Sequence, residues 1–399
     1  MNYLSSLIEK LCPDGVECTP LWSVTIWDKK FNSVDKKKQP KVISYPYLLA
    51  KDMFALEQEN GDVFLLSTGE QTGWTTEDIA GDFLCEGEVV SIPWGKSRKV
   101  SEVMKYYKGK FVTADNRIAT SYDTTILLNK YLYYWMMSQG EQIDSFYRGS
   151  GLKHPSMKDV LDMTIPLPPL PVQQEIVRIL DSFTELTAEL TAELTAELTA
   201  RRKQYEHYRD ELLTFAPEVE WKTIGEVCKL SAGGDVPKER FSKNKTEEYT
   251  VPILSNGIGE NALYGFTDIA QIKAPCVTVA ARGTIGYCEL RNEDFYPVVR
   301  LICACPKEEL LPAYLKYYLE TIKFQVPTSG IPQLTVPMLS KYKIPIPTLA
   351  EQGRIVAILD KFSAICNDLT SGLPAEIIAR QKQYEYYRDK LLTFKELDT

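Results

Sequence analysis

One stretch of the sequence occurs twice, and any fold must accommodate both copies. Residues 165–215 align without a gap with residues 344–394 at a constant offset of 179, and 29 of the 51 positions are identical. A weaker similarity marks the start of each half, where Val16-Glu17-Cys18 corresponds to Val219-Glu220-Trp221. Each half thus has a short lead-in, a variable region and the repeated stretch. We therefore predict a tandem duplication with internal pseudo-twofold symmetry.

The repeated stretch has the pattern of a long helix. It opens with prolines, which helices accept at their start but not in their interior. Apolar residues then recur at spacings of three, four or seven in both copies, which makes one helical stripe. About 40 residues at 1.5 Å each give a rod of roughly 60 Å, and two such rods favour side-by-side packing as a coiled coil. Gly372 and Pro374 predict a kink in the second copy.

The first copy contains a low-complexity tract, TAELTAELTAELTA, at residues 187–200. A solvated coiled-coil segment would explain it, because Ala, Glu and Leu favour helix. The alternative is a length adjuster, since each four-residue unit adds about 6 Å and turns the helix by about 40° beyond a full turn. If the ligand is DNA, the number of units should then set the spacing of two half-sites.

The two variable regions, roughly 25–150 and 228–328, are predicted to be mixed and strand-rich. Short apolar runs separated by Gly, Asn, Asp and Pro are typical of strands joined by loops. The runs lie at 63–66, 88–93, 251–254 and 276–280, and helical patterns occur at 131–136 and 314–319. Elsewhere the sequences of the two regions hardly match, as expected of one scaffold that carries two different sets of binding loops.

The N-terminal residues 1–10 read as a short amphipathic helix that ends at the turn Cys12-Pro13-Asp14-Gly15. Because the same lead-in begins both halves, we expect this helix to lie where the second rod ends, with the termini close together.

The composition is that of a globular protein, with 44% hydrophobic and 25% charged residues among 399. No apolar run reaches the roughly 18 residues that span a bilayer, so we expect a cytoplasmic protein without membrane contact. The nine cysteines are scattered, which argues against a disulfide framework or a closed zinc site. The net charge of -8 argues against nonspecific coating of nucleic acid but leaves room for local basic surfaces.

Two motifs in the repeats carry a family resemblance. Residues 173–183 and 352–362 follow the pattern Q-x-x-I-V-x-I-L-D-x-F, and residues 201–215 and 380–394 follow R-x-K-Q-Y-E-x-Y-R-D-x-L-L-T-F. Together with the TAEL tract, they make the whole chain resemble the specificity subunit of a type I restriction-modification enzyme.

The resemblance implies an α+β architecture in four segments. These are a first target recognition domain at 1–165, a repeat helix with the TAEL tract at 166–215, a second recognition domain at 216–344 and a C-terminal repeat helix at 345–399. Each domain would read one half of a split, asymmetric double-stranded DNA target, and the two helices would form an antiparallel coiled coil.

The resemblance also implies partners. Two methyltransferase subunits would bind S-adenosylmethionine, and translocase-nuclease subunits would use ATP and Mg. The specificity subunit itself would have no cofactor and no catalytic activity.

The residues agree with a chain that lacks its own chemistry. No Asn or Asp is followed by Pro-Pro-aromatic, which an adenine methyltransferase needs to hold the flipped base. Trp94-Gly95-Lys96-Ser97 imitates the end of a P-loop, but Val90 stands where the first glycine belongs. The G-x-G-x-x-A at 257–262 lacks a following helix. His154 and His207 are more simply surface or packing residues.

Local basic runs give the candidates for DNA contact. Residues 29–41 carry a charge of +5, and so do residues 96–117, with polar and aromatic residues between the basic ones. Lysine suits phosphate anchoring, whereas Arg, Asn and Gln suit base reading, although a charge run is more often only a solvated face. In the second region Arg282 is favoured because its Gly-flanked loop lets a guanidinium reach a base edge. The candidates are Lys36, Lys37, Lys38, Lys96, Arg98, Lys99, Asn116, Arg117, Lys243, Asn256, Arg282, Thr284 and Arg300.

The repeat helices are acidic and are expected to face protein, so they supply the candidates for methyltransferase docking. The candidates are Gln173, Ile176, Tyr205, Tyr208, Arg209 and the counterparts Gln352, Ile355, Tyr384, Tyr387 and Arg388.

Two other functions remain open at this point. A coiled-coil scaffold whose two domains bind protein predicts no salt-sensitive DNA binding. A self-contained modifying enzyme predicts methyl transfer by the purified chain alone, which the missing catalytic motifs disfavour.

Overall fold

A computed structural model of the protein describes residues 2–67, 69–95, 98–114, 117–150, 153–326, 331–367 and 372–397. The chain forms two compact units. Unit 1 contains residues 1–192 and 378–399, and unit 2 contains residues 193–377. The unit boundaries therefore fall inside both copies of the repeated stretch, so that each unit holds one variable region, the first part of one repeat and the last part of the other.

Unit 1 is built around a six-stranded sheet in the order β2-β7-β5-β6-β3-β4. Neighbouring strands are antiparallel except for β3 and β6, which are parallel. The strands of unit 1 are β1 Cys18–Pro20, β2 Thr25–Trp27, β3 Val63–Leu66, β4 Trp74–Thr75, β5 Cys85–Ile92, β6 Lys105–Thr113, β7 Arg117–Ser121, β8 Tyr147–Arg148, β9 His154–Pro155 and β10 Thr164–Pro166. Its short helices are α1 Asn2–Leu11, α2 Leu21–Val24, α3 Ala50–Phe54, α4 Glu77–Ala80, α5 Val100–Val103, α6 Asn129–Ser138, α7 Gly140–Ser145 and α8 Met157–Leu161.

Unit 2 repeats this strand order in a broken form. Its strands are β11 Trp221–Thr223, β12 Cys228–Ala232, β13 Val251–Leu254, β14 Leu263–Thr267, β15 Cys276–Val279, β16 Cys288–Arg291, β17 Tyr296–Pro297, β18 Ile302–Pro306 and β19 Lys343–Pro345. Strands β12-β18-β15-β16 form an antiparallel sheet, and β14-β13-β17 form a second sheet in which β13 and β17 are parallel. The pair β16 and β17 thus stands where unit 1 has the single strand β6. Its short helices are α10 Ile224–Val227, α11 Pro312–Leu319 and α12 Val336–Leu339.

The repeated stretch is helical in both copies but continuous in only one. The first copy forms one helix of 43 residues, α9 Leu170–Leu212. The second copy forms α13 Leu349–Asn367 and α14 Leu373–Leu391. The interruption lies where Gly372 and Pro374 predict a kink, and Pro374 is tolerated because it stands in the first turn of α14.

The two copies pack antiparallel within each unit. In unit 1, Phe183 of α9 contacts Tyr387 of α14 with ring centroids 6.2 Å apart, and Thr184 is hydrogen-bonded to Tyr384 at 3.0 Å. In unit 2, Tyr208 stacks on Phe362 at 5.5 Å. Tyr208 and Phe362 are the positions that correspond to Tyr387 and Phe183 through the offset of 179. The duplication therefore extends to the contacts between the helices.

The junction between sheet domain and helix is also duplicated. The Gln173 side chain of unit 1 accepts from Leu128 N at 2.9 Å and donates to Ile126 O at 2.7 Å and Pro168 O at 2.8 Å. In unit 2, Gln352 accepts from Leu311 N at 2.8 Å and donates to Glu309 O and Pro347 O, both at 2.9 Å. Both glutamines are fully buried, and their amide groups are satisfied in the same way.

Tyrosines of α6 and α11 complete this junction. Tyr134 donates to Asp181 Oδ1 at 2.6 Å, and Tyr317 donates to Asp360 Oδ1 at 2.5 Å. Burial and the neighbouring carboxylate raise the pKa of both phenols, so they stay protonated donors. Each sheet domain is thereby fixed in one orientation on the helix that comes after it in the chain.

The two ends of the described chain meet in unit 1. Val16 N donates to Lys395 O at 2.9 Å, and Leu397 N donates to Val16 O at 3.0 Å. Gly15 has a φ of +119°, and a Cβ there would lie 2.6 Å from Lys395 O. Helix α1 buries Leu4 in the same core as α9. The expectation that α1 lies near the end of the second rod is confirmed.

The fold class predicted from the sequence is confirmed, with two mixed α+β domains and long helices. The strands expected at 63–66 and 251–254 have those bounds, and the helices expected at 131–136 and 314–319 lie within α6 and α11. The turn after α1 also stands where the sequence predicts it.

Candidate nucleic-acid interface

Four connections are equivalent in the two units, and those that are joined by hydrogen bonds or ion pairs form a surface that we call the loop cluster. In unit 1 the connections are A1 (67–73), B1 (93–99), C1 (114–116) and D1 (146–156). In unit 2 they are A2 (255–262), B2 (280–287), C2 (298–301) and D2 (320–335). Connections A, B and C come after equivalent strands in the two units, and D comes after α7 in unit 1 and after α11 in unit 2. Residues 68, 96–97, 115–116, 151–152 and 327–330 of these connections lie outside the described residues.

Asn256 joins three connections in unit 2. Its side-chain Oδ1 accepts from Ala281 N of B2 at 2.7 Å, and its Nδ2 donates to Val299 O of C2 at 2.6 Å. Its own carbonyl accepts from Thr284 Oγ1 at 3.0 Å. Because both polar groups of this side chain are used inside the cluster, Asn256 holds the loops together.

The C2 connection has an unusual backbone. Val299 and Arg300 have φ values of 53° and 61°, in the left-handed region that side chains with a Cβ rarely adopt. Hydrogen bonds from Val299 N to Gly234 O and from Arg300 N to Gly233 O, both at 3.0 Å, hold them there. Strained positions of this kind concentrate at functional loops.

Arg282 and Gln333 pair across B2 and D2. The Arg282 Nε and Nη2 atoms donate to the same oxygen, Gln333 Oε1, at 3.1 and 2.8 Å. The neighbouring backbone groups are also fixed, since Leu334 N donates to Ala281 O at 3.0 Å. Both side chains are partly buried, so the pair lies at the surface of the cluster.

In unit 1 a lysine takes the bracing role. Lys105, the first residue of β6, donates from Nζ to Ser67 O at 3.0 Å, to Ser67 Oγ at 2.7 Å and to Gly69 O. Burial lowers the pKa of the Lys105 ammonium to about 8. All three acceptors are uncharged, so the cationic form has dipoles but no carboxylate to offset its desolvation.

The other links in unit 1 involve charged and aromatic groups. Arg98 of B1 forms an ion pair with Glu70 of A1. His154 donates from Nδ1 to Trp94 O at 3.1 Å, and their rings lie 4.2 Å apart. Tyr147 donates to Pro93 O at 2.6 Å. B1 is thereby connected to both A1 and D1, as B2 is connected to A2 and D2 in unit 2.

Most of the predicted DNA-contact residues fall in or beside the loop clusters. In unit 1, Arg98 and Lys99 belong to B1, and Arg117 lies just after C1 with its guanidinium 5.6 Å from the Phe31 ring. Lys96 and Asn116 belong to B1 and C1 but lie outside the described residues. In unit 2 the cluster contains Asn256, Arg282, Thr284 and Arg300.

The remaining candidates lie elsewhere. Lys36, Lys37 and Lys38 form a short 3-10 helix capped by Asp35. Lys38 forms an ion pair with Asp162, which lies between α8 and β10. A small pocket beside it is lined by Trp22, Ser23, Thr25, Ile26, Trp27, Lys37, Lys38, Gln39, Pro40, Lys41 and Tyr122. Lys243 is exposed in the long connection before β13.

The predicted docking residues divide by exposure. Gln173, Ile176, Gln352 and Ile355 are fully buried within their own units, and Arg388 is 8% exposed. Tyr205, Arg209, Tyr384 and Tyr387 are partly buried, whereas Tyr208 is exposed. Near Tyr384 and Tyr387, a groove on the helix pair of unit 1 is lined by Phe183, Leu186, Thr187, Leu190, Arg380 and Gln383. Leu186 in this groove is 60% exposed.

Sequence reasoning missed Gln333 and the role of His154. The offset of 179 that relates the repeats extends further toward the N-terminus, where Ser150-Gly151 corresponds to Ser329-Gly330. At the same offset His154 corresponds to Gln333, and each contacts its B connection. This extension was the signal that would have identified both residues.

Metal and thiol chemistry find little support within the described ranges. These residues contain no group of three or more His, Cys, Asp or Glu side chains placed to hold a metal ion. All nine cysteines are free, and burial raises the pKa of Cys85 to about 11, which keeps it a thiol. Across the part of the chain that the structure describes, no helix is both long and apolar enough to cross a bilayer.

Comparisons with known proteins agree with the duplicated architecture. The model of the type I restriction modification DNA specificity domain matches twice, at residues 40–200 and 218–379. The specificity subunit of the Escherichia coli type I restriction enzyme EcoR124I/EcoR124II is 36% identical over 440 aligned positions, which cover 100% of this chain and 98% of that protein. A Mycoplasma pneumoniae protein described as a type I specificity subunit is 36% identical, over 77% of this chain and 94% of that protein.

Solved structures show the same fold. A chain from a study of complex assembly and conformational transition in a type I restriction-modification system has a TM-score of 0.63 at 16% identity, covering 95% of this chain and 98% of that one. The S subunit of a Mycoplasma genitalium type I system has a TM-score of 0.50 at 18% identity, covering 95% and 96%.

Proposed function

Because the chain belongs to the family of type I restriction-modification specificity subunits, we propose that each loop cluster reads one half of a bipartite double-stranded DNA target. The chain itself supplies recognition in the cytoplasm, and methyl transfer and cleavage belong to partner subunits. Those partners are two methyltransferase subunits, which bind S-adenosylmethionine, and the ATP- and Mg-dependent translocase-nuclease subunits.

The observation that carries this proposal is the contrast between junction and cluster. The junctions of Gln173 and Gln352 have the same hydrogen bonds in both units, whereas the clusters at the other connections differ in almost every side chain. Two sheet domains that are attached to their helices in the same way, but that expose different side chains, are suited to binding two different base sequences. The surfaces offer Arg and Lys donors, which suit phosphate and base-edge contacts.

Half-site reading is tested by mapping methylation. The chain is produced together with the methyltransferase subunits of its own system, and methylated adenines are mapped across the host genome. We expect one bipartite motif with a fixed gap. A single continuous motif, or methylation without any motif, contradicts the proposal.

We further propose that α9 sets the gap between the half-sites. Its TAEL tract is helical throughout, so removing residues 191–194 shortens the helix by about 6 Å and rotates its C-terminal part by about 40°. The gap should shorten by one or two base pairs, while the bases of both half-sites stay the same. Thr191→Ala, which changes the tract without shortening it, is the matched control and should leave the gap unaltered. Changed half-site bases in the deletion variant would refute the spacer role.

Methyltransferase docking is proposed for the exposed part of the repeat helices, including the groove at Leu186. Leu186→Glu places a carboxylate in this groove and should reduce co-purification of the methyltransferase subunit by at least tenfold. Leu49→Glu, at an equally exposed leucine of the sheet domain, is the control and should co-purify normally. Equal recovery with both variants would contradict docking at this groove.

A further inference from the structure

The Arg282–Gln333 pair in unit 2 presents hydrogen-bond donors only. Gln333 Oε1 is the acceptor of both bonds from Arg282, and the identity of that atom follows from chemistry, because a guanidinium has no acceptor of its own. The outward groups that remain are N–H donors, on Arg282 Nη1, on Arg282 Nη2 and on Gln333 Nε2. None of them is hydrogen-bonded to another of the residues that the structure describes.

The pair is also held rigidly. Ala281, the residue before Arg282, has both backbone groups fixed, its N–H by Asn256 Oδ1 at 2.7 Å and its carbonyl by Leu334 N at 3.0 Å. Ala281 and Leu334 are fully buried members of one core, so each member of the pair projects from an anchored neighbour. A pre-positioned guanidinium loses less side-chain entropy on binding than a free one.

A donor-only surface discriminates among bases. In the major groove, guanine shows two adjacent acceptors, O6 and N7. Adenine shows one acceptor beside an amino donor, cytosine shows an amino donor, and thymine shows one acceptor beside a methyl group. The Nη1–Nη2 edge of Arg282 is the part of the guanidinium that Gln333 leaves available for a two-bond contact. Without Gln333, the guanidinium would be free to rotate toward phosphates as well.

We propose that Arg282, held in place by Gln333, selects a guanine in the half-site that unit 2 reads. Arg282 is the residue that touches the base, and Gln333 is its positioning residue. This inference rests on the proposed function, because it assumes that unit 2 reads one half-site.

The test uses the assembled complex of the chain with its methyltransferase subunits. Binding is measured on the cognate duplex and on duplexes in which each position of the half-site is replaced in turn. In the wild type, one G·C pair should discriminate by roughly 5- to 150-fold, the range of a two-bond base contact. Arg282→Ala should abolish discrimination at that pair and leave the other half-site and the gap unchanged.

Two further variants separate positioning from folding. Gln333→Ala should weaken discrimination at the same pair less than Arg282→Ala does, and Gln333→Glu, which keeps an acceptor for Arg282, should restore it. Arg240→Ala is the matched control, since Arg240 is an exposed arginine of the same unit that is paired with Asp268. It should leave discrimination intact. If Arg282→Ala retains the guanine preference, or if the preference moves to the other half-site, the inference is overturned while half-site reading still stands. If the wild type has no bipartite motif, the proposed function itself fails.

Discussion

In both units the sheet domain contacts the repeat helix through the same hydrogen bonds, but the contacts among the loops differ. In unit 2 the cluster is held by two amide side chains, since Asn256 accepts from Ala281 N and donates to Val299 O, and Gln333 accepts from the Arg282 guanidinium. In unit 1 the corresponding places are taken by a partly buried ammonium, an ion pair and a histidine that contacts an indole ring. His154 and Gln333 stand at equivalent positions and bind their B connections by different chemistry. The two copies have thus kept the positions at which the loops contact one another, but the side chains that make these contacts differ.

The largest expected loss of stability tests whether Gln173 and Gln352 stabilise their units equally. Gln173→Ala and Gln352→Ala each leave a partly buried backbone N–H and two carbonyls without their partner, which should lower the free energy of unfolding by about 3 kcal/mol. Denaturant unfolding combined with hydrogen exchange should show the loss in unit 1 for the first variant and in unit 2 for the second. Gln204→Ala, on the surface of α9, is the control. A difference of more than about 1 kcal/mol between the two variants would break the equivalence.

A smaller loss of stability is expected at Tyr134 and Tyr317, the equivalent tyrosines of the two junctions. Tyr134→Phe and Tyr317→Phe each remove one hydrogen bond to a carboxylate and should cost about 1.5 kcal/mol. Thermal unfolding of each variant measures this cost. The double variant Asp181→Asn/Tyr134→Phe is the control. Because both substitutions remove the same hydrogen bond, it should lose little more unfolding free energy than either single variant. Fully additive losses would show that the bond is not the source of the effect.

Lys105 gives unit 1 a pH response that the amide side chains bracing unit 2, Asn256 and Gln333, cannot have. Its pKa of about 8 in the folded chain lies below the ordinary value of 10.5. Between these values the unfolded chain holds more protons, so this lysine makes the folded state gain stability as the pH rises from about 8 to 10.5. Below about 8 its contribution is constant.

The measurement is a titration of 13C-labelled lysine side chains by NMR. One resonance should have a midpoint near 8, and Lys105→Met should remove it. The difference in unfolding free energy between wild type and Lys105→Met should change with pH in the same window. A titration near 8 that persists in Lys105→Met would assign the response to another lysine.

The smallest expected effect concerns the Arg98–Glu70 ion pair. Both side chains are about half exposed, so Glu70→Gln should lower the free energy of unfolding by less than about 0.5 kcal/mol. Repeating the denaturant titration in 1 M salt should remove the difference, because salt screens exposed charges. The change in unfolding free energy caused by Gln333→Ala in unit 2 should be the same with and without 1 M salt, because Gln333 is a neutral acceptor. A salt-resistant loss in Glu70→Gln would mean that this pair contributes by packing.

Much of the fold was accessible from the sequence because duplication and periodicity are local signals. The apolar spacing predicted α9, and the Gly372 and Pro374 pair predicted the interruption between α13 and α14. The runs at 63–66 and 251–254 predicted β3 and β13. The unit boundaries inside the helices were not accessible, because they depend on which half of each helix packs against which domain.

The candidate site was accessible only in part. Local charge and glycine pointed to Arg98 and Arg282, which do lie in the loop clusters. The same charge reasoning selected Lys36, Lys37 and Lys38, which form a short 3-10 helix outside the loop cluster. Asn256 was selected as a contact residue, yet its side chain is used to join three connections. Such roles depend on long-range hydrogen bonds, and composition carries no information about them.

The division of the chain into units has a consequence for the order in which the protein is made. Unit 2 is one continuous segment, residues 193–377, whereas unit 1 is completed only by residues 378–399. During synthesis from the N-terminus, all residues of unit 2 therefore leave the ribosome before the last residues of unit 1 do. The hydrogen bonds of Val16 to residues 395 and 397 are among the last that can form. The domain that begins first is finished last, and until α14 arrives Phe183 and Thr184 of α9 lack their contacts with Tyr387 and Tyr384.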